Sequence, residues 1–233
     1  VGAGGLYDWW GDNFQVGASA PPPPPTPDLP NPGPRGDLPP EVISYWDFDE
    51  ADAPVPGFTL NYAYDRKDGN HGAFQGTATR VPGAALGVGL VGLGSAAFDN
   101  QPSTAVNVGP GTANNFSVTT GLTVEALILP GWTGELGDYD EIFRKEDSGN
   151  RILLSFQNDP NNPGANPPVA AGPVLSFGLN VAGVYSELDM PLDGSAGVTL
   201  AELQDGFAHH VAATYDAASG EKSIYIDGVL RWS

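Results

Sequence analysis

Apolar and polar residues alternate along many short segments of the chain, and Gly, Pro, Asn or Asp separates these segments. In HHVAATYD (209–216), Val211 and Ala213 fall on one face of an extended chain, and His210 and Thr214 fall on the other. Successive side chains of a strand point to opposite faces, so this alternation predicts a strand that is buried on one side.

The same criteria predict about ten strands. They are 42–49, 94–99, 103–109, 122–130, 141–146, 151–157, 174–180, 184–188, 209–216 and 223–230. The IDG sequence ending at Gly228 predicts a turn. Residues 197–206 form either the only plausible helical turn or a loop. Many short strands at irregular spacing favour an all-β fold with two packed antiparallel sheets over a βαβ array.

Three regions follow one another along the chain. Residues 1–20 form an aromatic N-terminal tail, 21–40 form a proline-rich spacer that favours extended polyproline II, and 41–233 form the β domain. The tail is too short to form a core alone, so it docks on its own domain, docks on a neighbouring subunit, or is a remnant of a larger segment. The tail residues predicted to act in assembly are Leu6, Tyr7, Trp9, Trp10 and Phe14.

Composition narrows the function classes. The 233 residues contain 32 Gly, 23 Pro and no Cys, so there is no disulfide framework, thiolate nucleophile or cysteine metal site. The net charge of −19 excludes nucleic acid as a partner, because binding to phosphates requires cations on the protein. The acidity indicates either solubility, including life in a salty medium, or carboxylates that collect a hard cation such as Ca²⁺.

Location is predicted from the ends and the hydropathy pattern. No apolar run is long enough to span a membrane. A start at Val1 without a signal-peptide pattern predicts a processed chain that has lost a leader, which favours an extracellular or cell-surface protein.

Six segments, in this order, resemble the laminin G-like, concanavalin A-like lectin/glucanase domains of secreted bacterial proteins. They are SYWDFDE (44–50), DRKDGNHGAFQG (65–76), GSAAFDN (94–100), LTVEALILP (122–130), EIFRKED (141–147) and AHHVAATYDAASGEKSIYIDGVL (208–230). The resemblance covers about residues 42 to 230 and implies a jelly-roll sandwich of two curved antiparallel sheets. It also implies further strands beyond Leu230, whose absence would leave an open sheet edge.

A calcium site is expected in the DRKDGNHG loop. Asp65, Asp68 and Asn70 lie on a Gly-rich loop where oxygen atoms can converge, and the resemblance places further oxygen ligands at Asp99 and Asn100. The alternative is a turn in which Asp and Asn side chains accept hydrogen bonds from the backbone.

The sequence predicts no catalysis. Retaining glycosidases need two facing carboxylates, and Glu187 and Asp189 begin such a pattern, but Pro191 and Leu192 stand where a further Glu belongs. His209 and His210 are adjacent on a strand and point to opposite faces, so we expect a structural role for both.

Two function classes remain. The first is a non-catalytic adhesion or recognition module that binds a glycan or an extracellular protein, with Ca²⁺ as a possible aid. Loop residue Trp132 either stacks on a sugar ring or covers the core. The second is a structural subunit that self-assembles into a surface filament or layer by tail docking or strand addition. The alternative to self-assembly is that the sequence is a fragment of a longer protein. A glycoside hydrolase is the least favoured class.

Overall fold

Strands make up almost all the regular secondary structure. The computed structural model describes residues 35–49, 62–82, 92, 94–99, 101, 103–108, 120–147, 150–159 and 172–233. Within them the strands are β1 (Tyr62–Ala63), β2 (Gly72–Gln75), β3 (Thr79–Pro82), β4 (Gly94–Ala97), β5 (Ala105–Val108), β6 (Gly121–Ile128), β7 (Tyr139–Asp147), β8 (Asn150–Gln157), β9 (Val174–Val181), β10 (Val184–Pro191), β11 (His209–Asp216), β12 (Lys222–Ile226) and β13 (Val229–Trp232). The short helix α1 (Leu200–Leu203) lies between β10 and β11. The predicted all-β class is therefore confirmed.

All the strand pairs are antiparallel. One four-stranded sheet has the order β10-β9-β8-β7, and the other has the order β13-β12-β11-β6. Smaller sheets have the orders β1-β2-β5 and β3-β4. Strands β7 to β10 pair in chain order, and so do strands β11 to β13. Strand β6 comes from an earlier part of the chain and pairs with the other side of β11.

One apolar cluster receives side chains from both four-stranded sheets. Phe156 and Phe177 enter it from β8 and β9, and Val211 and Ile224 enter it from β11 and β12, each with no exposed surface. Burying one such side chain contributes about 1.5–3 kcal/mol, so this shared cluster is the main stabilising feature of the domain.

Two hairpins close with tight turns that need left-handed backbone. Ala182 and Gly183 join β9 to β10, and Asp227 and Gly228 join β12 to β13, all with positive φ. Two central residues with positive φ give the turn whose twist matches that of paired strands. The predicted IDG turn is thus present.

Some predicted elements differ from the structure. Residues 42–49 form no strand, and Trp46 makes only an isolated bridge to Asp65. The predicted strand 223–230 is divided by its turn, and the short strands β1 to β3 were not predicted from alternation. Helix α1 lies inside the predicted segment 197–206 and begins with a capping box between Thr199 and Glu202.

No helix in the described part of the chain is long and apolar enough to cross a membrane. The first 34 residues, which include the tail and most of the spacer, lie outside the described residues.

Lys222 links the two four-stranded sheets. Its ammonium group donates to the backbone oxygen of Ser186 at 2.5 Å and to the Ser186 hydroxyl at 2.9 Å, and it lies 5.9 Å from the centre of the Phe177 ring. Burial lowers the pKa of Lys222 to about 8, although Glu187 and Asp189 act in the opposite direction. The charged form is therefore less favourable in the folded state than in the unfolded chain.

We expect Lys222→Met to change how stability depends on pH. The unfolded chain keeps the lysine proton up to its ordinary pKa, whereas the folded chain loses it near pH 8. The wild-type free energy of unfolding therefore increases as pH rises above 8. The methionine variant lacks this gain. Urea unfolding at pH 7.5, 8.5 and 9.5 measures it, with Lys67→Met, at a half-buried lysine of the Asp65 loop, as the control. An unchanged slope in Lys222→Met contradicts the assignment.

Candidate functional site

The carboxylate of Asp65 organises the loop that the sequence marks as a calcium site. Its Oδ1 accepts the backbone N–H groups of Tyr45 and Lys67, both at 2.9 Å. Its Oδ2 accepts those of Asp68 at 3.2 Å and Asn70 at 2.9 Å. Asp65 is 2% exposed, so a buried carboxylate is compensated by four donors. This is the geometry of the alternative interpretation, a turn held by an acidic side chain.

The remaining proposed ligands have partners of their own. The Asn70 amide donates to the Ser44 hydroxyl at 2.8 Å, while Asp68 is exposed. Asp99 lies on another loop, where it accepts hydrogen bonds from Thr77 and from the Thr104 hydroxyl. Asn100 lies outside the described residues. Within the described ranges, no three His, Asp or Glu side chains lie close enough together to hold a metal ion, so calcium remains a proposal.

His71 completes this loop from the inside. Its Nδ1 accepts the backbone N–H of Asp65 at 3.0 Å, and its ring lies 5.0 Å from the Tyr64 ring. Burial lowers the pKa of His71, which favours the neutral ring that this acceptor role requires. His71 therefore packs the loop.

Trp132 is part of the core. Its side chain is fully buried and stacks on Phe156 with ring centres 5.5 Å apart. A buried ring presents no face to a sugar, so this position matches the interpretation of Trp132 as a residue that covers the core.

The acidic residues Glu187 and Asp189 of β10 form hydrogen bonds within their own sheet. Glu187 and Asp189 alternate to the same face of the strand, and they are 8% and 0% exposed. Glu187 accepts the Tyr185 hydroxyl at 2.5 Å, and Asp189 accepts the Ser176 hydroxyl at 2.6 Å. Both carboxylates thus have hydrogen-bonding partners on the sheet itself.

The two histidines of β11 lie apart, as expected. His209 Nδ1 lies 2.8 Å from the Asp227 carboxylate, and His210 Nε2 lies 3.3 Å from the Glu125 carboxylate. Each contacts a different carboxylate, so they do not form a joint metal site.

The outer edge of β6 is the most distinctive feature among the described residues. His210 directs its backbone N–H to the Asp227 carboxylate at 2.9 Å, and its carbonyl accepts the Asp227 N–H at 2.8 Å. Both contacts lie on the β12 side, so His210 forms no hydrogen bonds with Leu127, its opposite residue on β6. Alternation in an antiparallel ladder then directs the backbone groups of Thr123 and Glu125 away from β11.

The outward groups of Thr123 and Glu125 have no hydrogen-bonding partner within the described part of the chain. Leu127, the next outward residue of β6, makes an interaction of its own. An edge with unpaired N–H and C=O groups is a template for another strand.

A groove of about 1430 Å³ runs along this edge. Its walls include Leu122 and Val124 on the core side of β6, and Thr123 and Glu125 on the outer side. Segment 35–49 also lines it. Because residues from both faces of the sheet line the groove, it occupies the position of a next strand rather than a depression over one face.

The rim of the groove is acidic. Among the described lining residues, the acidic side chains are Glu41, Asp47, Asp49, Glu125, Asp216 and Glu221, and the basic ones are Arg35 and His210. Arg35 pairs with Asp37 at 2.9 Å, and His210 pairs with Glu125. The hydrogen bonds from Ala218 and Ser219 keep the pKa of Asp216 below its usual value, so that it stays charged at neutral pH.

The last strand, β13, is one outermost strand of its sheet in the described part of the chain, and β6 is the other. The groove lies beside β6, in the middle of the sequence, where no sequence pattern indicated a site. Only the pairing of β6 with β11 reveals which strand is the outermost one on that side.

Comparisons with known proteins find no relative of the chain. No family model matches it, and searches of curated proteins and of solved structures find no match either.

We expect Asp65→Ala to lower the free energy of unfolding by about 3 kcal/mol, because it leaves four buried or half-buried N–H groups without their acceptor. Exposed Asp68→Ala is the matched control and changes it by less than about 0.5 kcal/mol. Urea unfolding with a chelator and with added Ca²⁺ measures both. If Ca²⁺ raises the wild-type midpoint and not that of Asp65→Ala, the loop is a calcium site.

Proposed function

We propose that this chain is a non-catalytic recognition module that acts outside the cell or on a cell surface and binds an extended polypeptide at the β6 edge. The observation that carries the proposal is the backbone of Thr123 and Glu125, which is unpaired among the described residues and lies beside a groove of about 1430 Å³. Main-chain hydrogen bonds from an added strand supply affinity, and pockets for alternate side chains supply specificity.

The fold proposed with this function is the jelly-roll sandwich. Two four-stranded antiparallel sheets that share one core support it. In such a sandwich an incoming strand extends one sheet, and its alternate side chains enter the core region beside Leu122 and Val124, which are only partly buried.

Protein is favoured over glycan as the ligand. The Trp132 ring is fully buried, and the Asp65 carboxylate already accepts four hydrogen bonds, so the two features that suggested sugar and calcium binding have structural roles. The β6 edge presents instead the regular array of donors and acceptors that matches a peptide backbone.

The absence of catalysis remains part of the proposal. Glu187 and Asp189 are buried and bonded to Tyr185 and Ser176, which suits a structural role for this pair better than attack on a substrate.

The second candidate is a structural subunit that polymerises. The same unpaired edge favours it, because strand addition from a neighbouring subunit uses the same backbone groups. The aromatic tail with Leu6, Tyr7, Trp9, Trp10 and Phe14 lies outside the described residues, and its docking stays a prediction.

We expect Thr123→Pro to abolish strand binding while preserving the fold. Proline removes the outward N–H of residue 123, which takes no part in the β11 ladder, so the free energy of unfolding changes by less than about 1 kcal/mol. Thr123→Val keeps the N–H and is the matched control. Selection of random displayed peptides is the measurement: wild type and Thr123→Val enrich peptides with alternating apolar residues, and Thr123→Pro enriches none. Retention of the same peptides by Thr123→Pro contradicts the proposal.

A further inference from the structure

The length of β6 sets the length of strand that can pair along the groove. Strand β6 has eight residues, and residues Gly121 to Leu127 line the groove.

The two faces of the groove differ in chemistry. On the core side, the incoming strand meets Leu122, Val124, Ile142, Phe143 and Ile152, which are apolar. On the outer side, the lining residues include Thr123, Glu125, Thr214, Ser223 and Tyr225, which are polar. Side chains of a strand alternate between faces, so the best occupant has apolar residues at every second position.

Charge selects the residues at the other positions. Glu41, Glu125, Asp216 and Glu221 line the groove and are exposed, and the basic lining residues Arg35 and His210 are paired with carboxylates. An incoming strand with acidic residues meets repulsion along this rim, whereas lysine or arginine at its outward positions meets attraction.

We propose that the β6 groove binds a cationic strand from a partner protein, in which apolar residues alternate with Lys or Arg. This inference rests on the proposed function and adds the chemistry of the partner. A small number of basic residues in this chain, 9 Lys and Arg against 28 Asp and Glu, agrees with a partner of opposite charge.

Two occupants from the chain itself are less suitable. The tail 1–20 contains Asp8 and Asp12 and no Lys or Arg, so it adds negative charge to an acidic rim. Pairing of two β6 edges from two copies brings Glu125 of both copies to the same short interface, where like charges repel.

Three peptides of about nine to twenty residues test the inference. The first alternates Val and Lys, the second alternates Val and Glu, and the third has the sequence of residues 1–20. Fluorescence anisotropy with the full chain measures each dissociation constant. We expect the Val/Lys peptide to bind at least about tenfold more tightly than the other two, and this preference to weaken as ionic strength rises.

Charge variants connect the preference to the rim. The double variant Glu125→Gln/Glu221→Gln reduces the preference for the Val/Lys peptide, whereas Glu135→Gln, an exposed loop residue that does not line the groove, leaves it unchanged. Equal binding of the Val/Lys and Val/Glu peptides, or tighter binding of the tail peptide, overturns the cationic partner. An unchanged preference in the double variant overturns it as well.

The proposed function has a separate outcome. If all three peptides bind with equal affinity to wild type and none binds to Thr123→Pro, strand addition at β6 stands and the charge preference fails. If Thr123→Pro binds the Val/Lys peptide as wild type does, both proposals fail.

Discussion

The pairing of β11 with two neighbours is the constraint on which the rest of this structure depends. A strand has two sets of backbone groups, and β11 uses one set for β6 and the other for β12. The contacts of His210 with Asp227 determine which set faces which neighbour. This pattern directs the N–H and C=O groups of Thr123 and Glu125 outward, and within the described part of the chain these groups have no hydrogen-bonding partner.

The loop around Asp65 positions the segment that forms the other wall of the groove. Asp65 accepts the backbone N–H of Tyr45, and the Asn70 carbonyl accepts the Trp46 indole N–H at 3.0 Å. These contacts hold segment 35–49, which lines the groove, although that segment has no regular ladder of its own. A loop whose composition suggests metal binding thus works through hydrogen bonds to position a wall of the candidate site.

Local patterns predicted most of the fold. Runs of β-branched and aromatic residues between turn residues identified β6 to β11 within three residues of their observed ends, because such residues favour extended backbone. Strand β9 is buried on both faces from Val174 to Leu179, which alternation does not record. Short strands such as β1 (Tyr62–Ala63) carry too few residues to show a period. Residues 42–49 alternate like a strand, but the bridge recorded for them in the described part of the chain is the isolated Trp46–Asp65 pair, because alternation reports burial and not strand pairing.

By itself, the sequence determined an all-β chain with acidic surfaces, tight turns at Gly228 and buried faces on its longer strands, since these properties depend on residue types and their spacing. Only the tertiary structure decided that β6 is outermost among the described strands of its sheet, that Trp132 lies in the core and that the Asp65 carboxylate is surrounded by backbone donors. Those outcomes depend on contacts between residues far apart in the chain, which no local period records.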